Sequence, residues 1–173
     1  MLDSMDPVLH DPILDRLFRH LGWSDARVLQ ALANLTDEQL TYTAAGSEWT
    51  VAAIAKHLVH AAGLYASRLD GGTAPVVSPA PVTGAEMAAL AQQCADFDAR
   101  LLVEAGKPEA IVEYVREGKQ VRRARSALLA QALLHASEHR AQIASALDAH
   151  GVRAIDLDAL SPWQFGIDEG LDA

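Results

Sequence analysis

Four long stretches of the chain repeat apolar residues at intervals of three and four positions, the spacing of one helix face. They cover about residues 11–35, 50–69, 84–105 and 126–150 of the 173 residues. Alanine, a strong helix former, supplies much of the apolar half of the composition, and aromatic residues are few. Four amphipathic helices predict an all-α fold, a four-helix bundle, in a single domain over residues 1–173.

The connections between these helices differ in kind. Residues 70–72 form a strong helix stop, and residues 73–84 carry three prolines, which exclude this segment from a helix. Such a linker reaches about 40 Å when extended, against about 30 Å for a 20-residue helix, so helices two and three need not be antiparallel. Residues 110–124 alternate around Glu117 and Gly118 and allow a short hairpin before the last long helix. From about residue 152 we expect a short extended tail.

Charge and cysteine content exclude several classes of protein. A net charge of −9 argues against nucleic acid as a main partner, because phosphate binding needs a basic surface. The one basic cluster, residues 116–126, favours a solvated hairpin or helix entry over a site for an anionic substrate. Cys94 is the single cysteine, which excludes a disulfide within the chain, fits a reducing cytoplasm and indicates a small buried hydrophobe. We expect no signal peptide, since the N-terminal residues show no cationic region followed by an apolar run, and no membrane span, since no uninterrupted apolar stretch of about 18 residues occurs.

Two histidines four residues apart, His135 and His139, lie on the apolar stripe of the last predicted helix. Positions i and i+4 share a helix face about 6 Å apart, so the two rings could chelate a metal ion. Alternatively, they are core histidines that only hydrogen-bond, in which case both buried rings must find partners. The pair alone leaves both interpretations open. Gln131 and Gln142 flank it and could line a pocket.

The second predicted helix offers His57 and His60 as candidates for a third ligand. His57 shares its face with four apolar residues, whereas the face of His60 is more polar, so His57 is the better inward-facing candidate. The sequence does not decide whether His60 joins or replaces it. His20, near Trp23, is a weaker candidate, and the helix dipole is enough to explain His150 at a helix end.

These residues carry a resemblance to a known family. The segment GSEWTVAAIAKHLVHAAGLYASRLDG, followed much later by LLHASEHRAQIASALDAHGV, resembles the DinB family of bacterial metal-binding four-helix bundles. That family is similar to the bacillithiol transferases and to the mycothiol-dependent maleylpyruvate isomerase. Its pattern is a histidine in an A/K-H-L step of helix two and a later H-x-x-x-H-R. His57, His135, His139 and Arg140 match it, within a resemblance over about residues 11–160.

The resemblance implies an up-down-down-up bundle, a homodimer and a metal site of His57, His135 and His139 that holds a divalent ion, zinc or nickel. Three imidazoles would leave one coordination position for water or substrate, whereas a structural zinc site normally fills all four with protein ligands. We therefore expect either hydrolysis or transfer of a low-molecular-weight thiol to a small electrophile. Each histidine should donate its second ring N–H to a carbonyl or carboxylate.

The sequence does not identify catalytic residues. Glu138 lies between the two paired histidines but points about 100° away from His139 around the helix. Arg140 is expected to form an outward ion pair. The second hypothesis is a non-catalytic metal-binding or stress-response module, because the family includes many members without known activity.

Overall fold

Four long helices make up most of the structure, a computed structural model that describes residues 11–172. They are α1 (Pro12–Ala33), α2 (Val51–Asp70), α3 (Gly84–Ala105) and α4 (Arg125–Asp148). Each helix predicted from the apolar spacing is present, and its ends lie within a few residues of the expected ones. None of the helices in this part of the chain has the length and apolar character needed to span a bilayer.

Local signals set the helix ends. The carboxylate of Asp11 accepts the Ile13 N–H at 2.9 Å, which caps α1. Thr83 and Glu86 form a reciprocal capping box at the start of α3. Gly71 ends α2 with φ of 74°, a left-handed conformation that glycine adopts without steric cost. The Pro-rich segment between α2 and α3 is not helical, as predicted.

A two-stranded antiparallel hairpin precedes α4, with β1 at Ile111–Arg116 and β2 at Lys119–Ala124. Glu117 and Gly118 form its turn, and both have positive φ, as a tight hairpin turn requires. The fold is therefore mostly helical with a small sheet, and the description all-α is too narrow. The basic cluster of residues 116–126 lies largely on this hairpin, where Arg122 and Glu113 form an exposed cross-strand ion pair.

The end of the chain departs from its prediction. A short helix, α5 (Pro162–Asp168), lies where an extended tail was expected. Ser161 caps it by accepting the Gln164 N–H at 3.2 Å, and Pro162 occupies the first turn, where its missing N–H costs nothing. Phe165 is buried and contacts the rings of His20 and Trp23 on α1 edge-on. The apolar contact of Phe165 with α1 favours a folded tail over an extended one.

Two apolar clusters fill the core of the bundle. One includes Leu32, Leu58 and Leu90, and the other includes Phe18, Ala66 and Leu101. Along each long helix, the residues of one cluster give way to those of the other near the middle. Buried or half-buried polar side chains lie at that level, and we call them the polar layer: Asp25 on α1, His57 on α2, Asp98 on α3, and His135, His139 and Arg140 on α4.

A buried ion pair in the polar layer joins α1 to α4. Arg140 is 7% exposed and donates to the carboxylate of Asp25, which is 1% exposed. The expectation of an outward ion pair for Arg140 is therefore wrong. Position 140 faces α1, and Asp25 supplies there the buried partner that a guanidinium needs away from water.

Asp98 is the second buried carboxyl group of the layer. Burial, and next the negative charge of Asp25, raise the pKa of Asp98 well above its usual range. The Cys94 thiol, which is buried as predicted, donates to Asp98 Oδ2 at 3.5 Å. Asp98 Oδ1 and Asp25 Oδ2 are buried without a hydrogen-bond partner. A protonated Asp98 avoids a second buried negative charge beside Asp25.

We expect Arg140→Met to lower the free energy of unfolding by about 3–5 kcal/mol, because Asp25 is then left as an unpaired buried charge. The double variant Asp25→Leu/Arg140→Met should recover most of that loss. Denaturant titration measures both, with Arg19→Met as the control, since its pair with Asp15 is exposed and should cost less than about 1 kcal/mol. Equal losses in the single and double variants would contradict this role of the ion pair.

Asp98→Asn should stabilise the protein at pH 7–8. Folded Asp98 stays protonated above pH 3.8, where the unfolded chain has released that proton, so the wild type loses stability as pH rises from about 4 towards the raised pKa. Asparagine carries no proton to lose. Thermal unfolding between pH 4 and 8 should show a flatter profile for this variant. The exposed Asp96→Asn on the same helix serves as control, and an unchanged slope in Asp98→Asn would refute the assignment.

Candidate metal centre

Three histidine rings from two helices converge in the polar layer. His135 Nε2 lies 3.2 Å from His57 Nε2 and 3.1 Å from His139 Nε2. One ring nitrogen from each residue lies within 4.8 Å of the others. The structure thus brings together the three residues that the sequence singled out. We call them the histidine cluster.

Helix geometry explains the convergence. His135 and His139 are one turn apart on α4, so their rings meet on one face of that helix, at 4.2 Å between centroids. His57 lies opposite them on α2, whose first turn is capped by Thr50, which accepts the Ala53 N–H at 3.1 Å. The apolar face that His57 shares with Ile54 and Ala61 packs inward and turns the ring toward α4.

The other histidines among residues 11–172 lie apart from the cluster. His20 Nε2 donates to the carbonyl oxygen of Leu160 at 2.7 Å. His150 stacks on Tyr42 with ring centroids 4.1 Å apart, and its Nε2 donates to the carbonyl of Thr43 at 3.1 Å. His60 does not join the cluster, although its charge contributes to lowering the pKa of His57. The choice between His57 and His60 therefore falls on His57.

The protein environment favours uncharged imidazoles in the cluster. Burial, and next the charge of His139, lower the pKa of His57. The same two causes lower the pKa of His135 to about 4. Both rings are therefore neutral near pH 7, which is the form that offers a lone pair to a metal ion.

The second ring nitrogen of His139 has a fixed partner. Nδ1 donates to Oε1 of Gln142 at 2.7 Å. In the neutral ring, Nε2 then carries the lone pair and points it at the cluster. The expectation was that each of the three histidines donates its second ring N–H to a carbonyl or carboxylate; the structure shows such an acceptor for His139, the side-chain amide of Gln142.

The cluster fits a divalent metal ion by its donor chemistry. Imidazole nitrogens at about 2.0–2.1 Å from a tetrahedral ion lie about 3.3 Å apart, close to the 3.1 and 3.2 Å between these Nε2 atoms. Without an ion, His135 Nε2 has at most one hydrogen for two neighbouring nitrogens. A cation held by His57, His135 and His139 would satisfy all three lone pairs at once.

A cavity of 600 Å³ adjoins the cluster at His139, and we call it the site cavity. It lies between the loop before α2 and the second half of α4. Trp49 forms part of its wall and contacts the His57 ring edge-on, with centroids 4.9 Å apart. The residues that line it are Ala44, Ser47, Trp49, Ile54, Glu138, His139, Ala141, Gln142 and Ser145. Both Glu138, which the sequence left open, and Gln142 therefore belong to the surroundings of the site.

Sequence reasoning gave Trp49 and Tyr65 no role at the site. Trp49 was part of the family resemblance, but its place beside His57 depends on the loop before α2. Tyr65 packs edge-on against His135 at 5.8 Å, and its position two turns after His57 on α2 was a usable signal.

Asp25, Cys94 and Asp98 form a second group with metal-ligand atoms within 4.8 Å of one another. The guanidinium of Arg140 already pairs with Asp25 there, and its positive charge opposes a cation. The histidine cluster is therefore the candidate metal centre. Asp25 was also missed by sequence reasoning, although it lies on the apolar stripe of α1 between Leu21 and Val28.

Comparison with known proteins places the chain in a family. The model of the DinB family matches residues 1–165 of the 173. The chain belongs to the DinB family. No curated protein matches it.

Gln142→Ala should weaken the affinity for a divalent metal about tenfold or more, because the orientation of the His139 ring depends on this acceptor. Gln142→Glu keeps an acceptor and should retain the affinity of the wild type. Competition with a chromophoric chelator measures all three, and Gln92→Ala on α3 is the control. Equal affinities in the alanine variant and the wild type would remove Gln142 from the site.

Proposed function

We propose that this member of the DinB family is a metal-dependent enzyme whose three-histidine site carries out thiol transfer to, or hydrolysis of, a small electrophilic molecule. The observation that supports it best is the convergence of three Nε2 atoms beside a cavity. Three protein ligands leave room for an exogenous one, as catalytic metal sites do. The cavity brings that vacancy within reach of a small molecule.

The residues of the chain have separate tasks in this proposal. His57, His135 and His139 hold the metal ion, zinc or nickel, and Gln142 orients His139. When bound, the ion supplies Lewis-acid chemistry near neutral pH. Trp49 shields the His57 side of the cluster from water. Glu138, exposed at the cavity wall, is the candidate acid or base.

The wider organisation is proposed on the same basis. We propose one domain over residues 1–173, an up-down-down-up helix order, a homodimer and a cytoplasmic location, with neither nucleic acid nor membrane as partner. The net charge of −9 supports the exclusion of nucleic acid. Contacts that support the helix order are Gly22 with Asp98, Gly84 with Ala33, Gly63 with Phe97, Asp70 with Arg100, His57 with His139, and Tyr65 with His135.

The alternative function is a metal-binding or stress-response module without turnover. One observation favours it. Among the residues that line the site cavity in the described part of the chain, Glu138 is the one carboxylate, and it is exposed rather than held in a fixed position. A site without a positioned acid or base can bind a ligand and still lack catalysis.

Elemental analysis of protein purified without a histidine tag tests the metal site. We expect about one divalent ion per chain in the wild type and far less than one in His57→Ala, His135→Ala and His139→Ala, since each variant loses a direct ligand. His60→Ala, on the same helix, should bind metal as the wild type does. Equal substoichiometric metal in all variants would rule out the site.

The enzymatic claim has its own test. Metal-loaded wild type should convert a panel of low-molecular-weight thiols with a chloroaromatic or an epoxide, or hydrolyse the electrophile, and the histidine variants should fall to the uncatalysed rate. If the loaded protein binds metal and forms no product from any pair, the non-catalytic alternative is the correct one.

A further inference from the structure

The residues that line the site cavity indicate which kind of ligand it can bind. Trp49 is 45% exposed, and its indole lies nearly parallel to the His139 ring, at 14° with centroids 6.4 Å apart. Ile54 and Ala141 add further apolar wall. A flat apolar group can therefore pack on the indole face while a donor atom of the same molecule reaches the histidine cluster.

The charges around the cavity also favour a ligand whose body carries no negative charge. Among the residues described as its lining, none is lysine or arginine, and Glu138 carries the only carboxylate. An anionic group on the body of a ligand would meet the negative charge of Glu138 and find no cation to pair with. The metal ion compensates the charge of a single donor atom, but it is held at the cluster and not along the cavity wall.

We propose that the site cavity selects thiols whose remainder is uncharged and carries an aromatic ring, and that Trp49 and Glu138 determine this specificity. Trp49 supplies the face on which the ring packs, and Glu138 disfavours carboxylates and phosphates. The proposal rests on the proposed function, since the thiol sulfur needs the metal ion, and the thiol proton passes to solvent on binding.

Three thiols separate these effects on protein loaded with Co²⁺, whose absorption changes when a sulfur ligand binds. Phenylmethanethiol is neutral and aromatic, 4-(mercaptomethyl)benzoate adds one carboxylate to the same ring, and 2-mercaptoethanol is neutral without a ring. We expect phenylmethanethiol to bind about fivefold to tenfold more tightly than its carboxylate analogue, the effect of one repulsive charge near a protein surface.

Two variants assign the discrimination to residues. Trp49→Ala should weaken the binding of phenylmethanethiol about threefold to tenfold more than that of 2-mercaptoethanol, the value of one aromatic contact. Glu138→Lys should make the carboxylate analogue the tighter ligand of the aromatic pair. Trp163→Ala, which removes an 81% exposed indole of α5, is the control. It should change neither the affinity for phenylmethanethiol nor the order of affinities within the aromatic pair.

The outcomes distinguish this inference from the proposed function. If Co²⁺ does not bind, or binds equally to His135→Ala, both are wrong. If Co²⁺ binds at the cluster and the three thiols bind equally, or the carboxylate analogue binds most tightly to the wild type, the specificity is wrong and the metal site stands. Unchanged affinities in Trp49→Ala and Glu138→Lys would likewise remove these two residues as its cause.

Discussion

The buried ion pair of Asp25 and Arg140 fixes how α4 is turned within the bundle, and the histidine cluster depends on that orientation. Arg140 directly follows His139, so their side chains point about 100° apart around the helix. When Arg140 faces Asp25 on α1, the side of α4 that carries His135 and His139 faces α2 and His57. The ion pair therefore sets an angle that apolar packing alone would leave less strictly defined, because small side chains such as Ala132, Ala136 and Ala146 permit rotation.

The polar layer costs stability that the apolar clusters on either side supply. Asp25 Oδ2 and Asp98 Oδ1 are buried without a partner, and each such atom costs about 1–3 kcal/mol. Buried leucines such as Leu32, Leu90 and Leu101 recover about 1.5–3 kcal/mol each. A bundle with an apolar layer at this level would be more stable, but it could not present imidazoles at the boundary between core and solvent. The protein thus gives up stability at the level where its site lies.

Much of the fold was predictable because its signals are local. The apolar spacing predicted the four helices. Residues 70–72 predicted the end of α2, and Glu117 and Gly118 predicted the hairpin turn. His57 was distinguished from His60 by the apolar character of its own helix face. Arg140 could not be assigned in this way, because its inward direction is favourable only with Asp25, which lies 115 positions earlier in the chain. The α5 helix depends similarly on the contact of Phe165 with Trp23, and the place of Trp49 depends on how a loop returns to α2.

The charges of the polar layer suit a site that gains a cation. Arg140 alone would repel a divalent ion at the neighbouring histidines, but the carboxylate of Asp25 cancels its charge at close range. Asp98 adds no negative charge while it is protonated. Asp25, Asp98 and Arg140 together therefore add almost no net charge beside the histidine cluster, and they would neither repel nor neutralise an ion held there. An anionic donor atom that enters through the site cavity beside His139 would compensate the charge of that ion. In our proposal that donor is the sulfur of a thiol, and none of the cavity-lining residues within 11–172 is a lysine or arginine that would also attract negative charge.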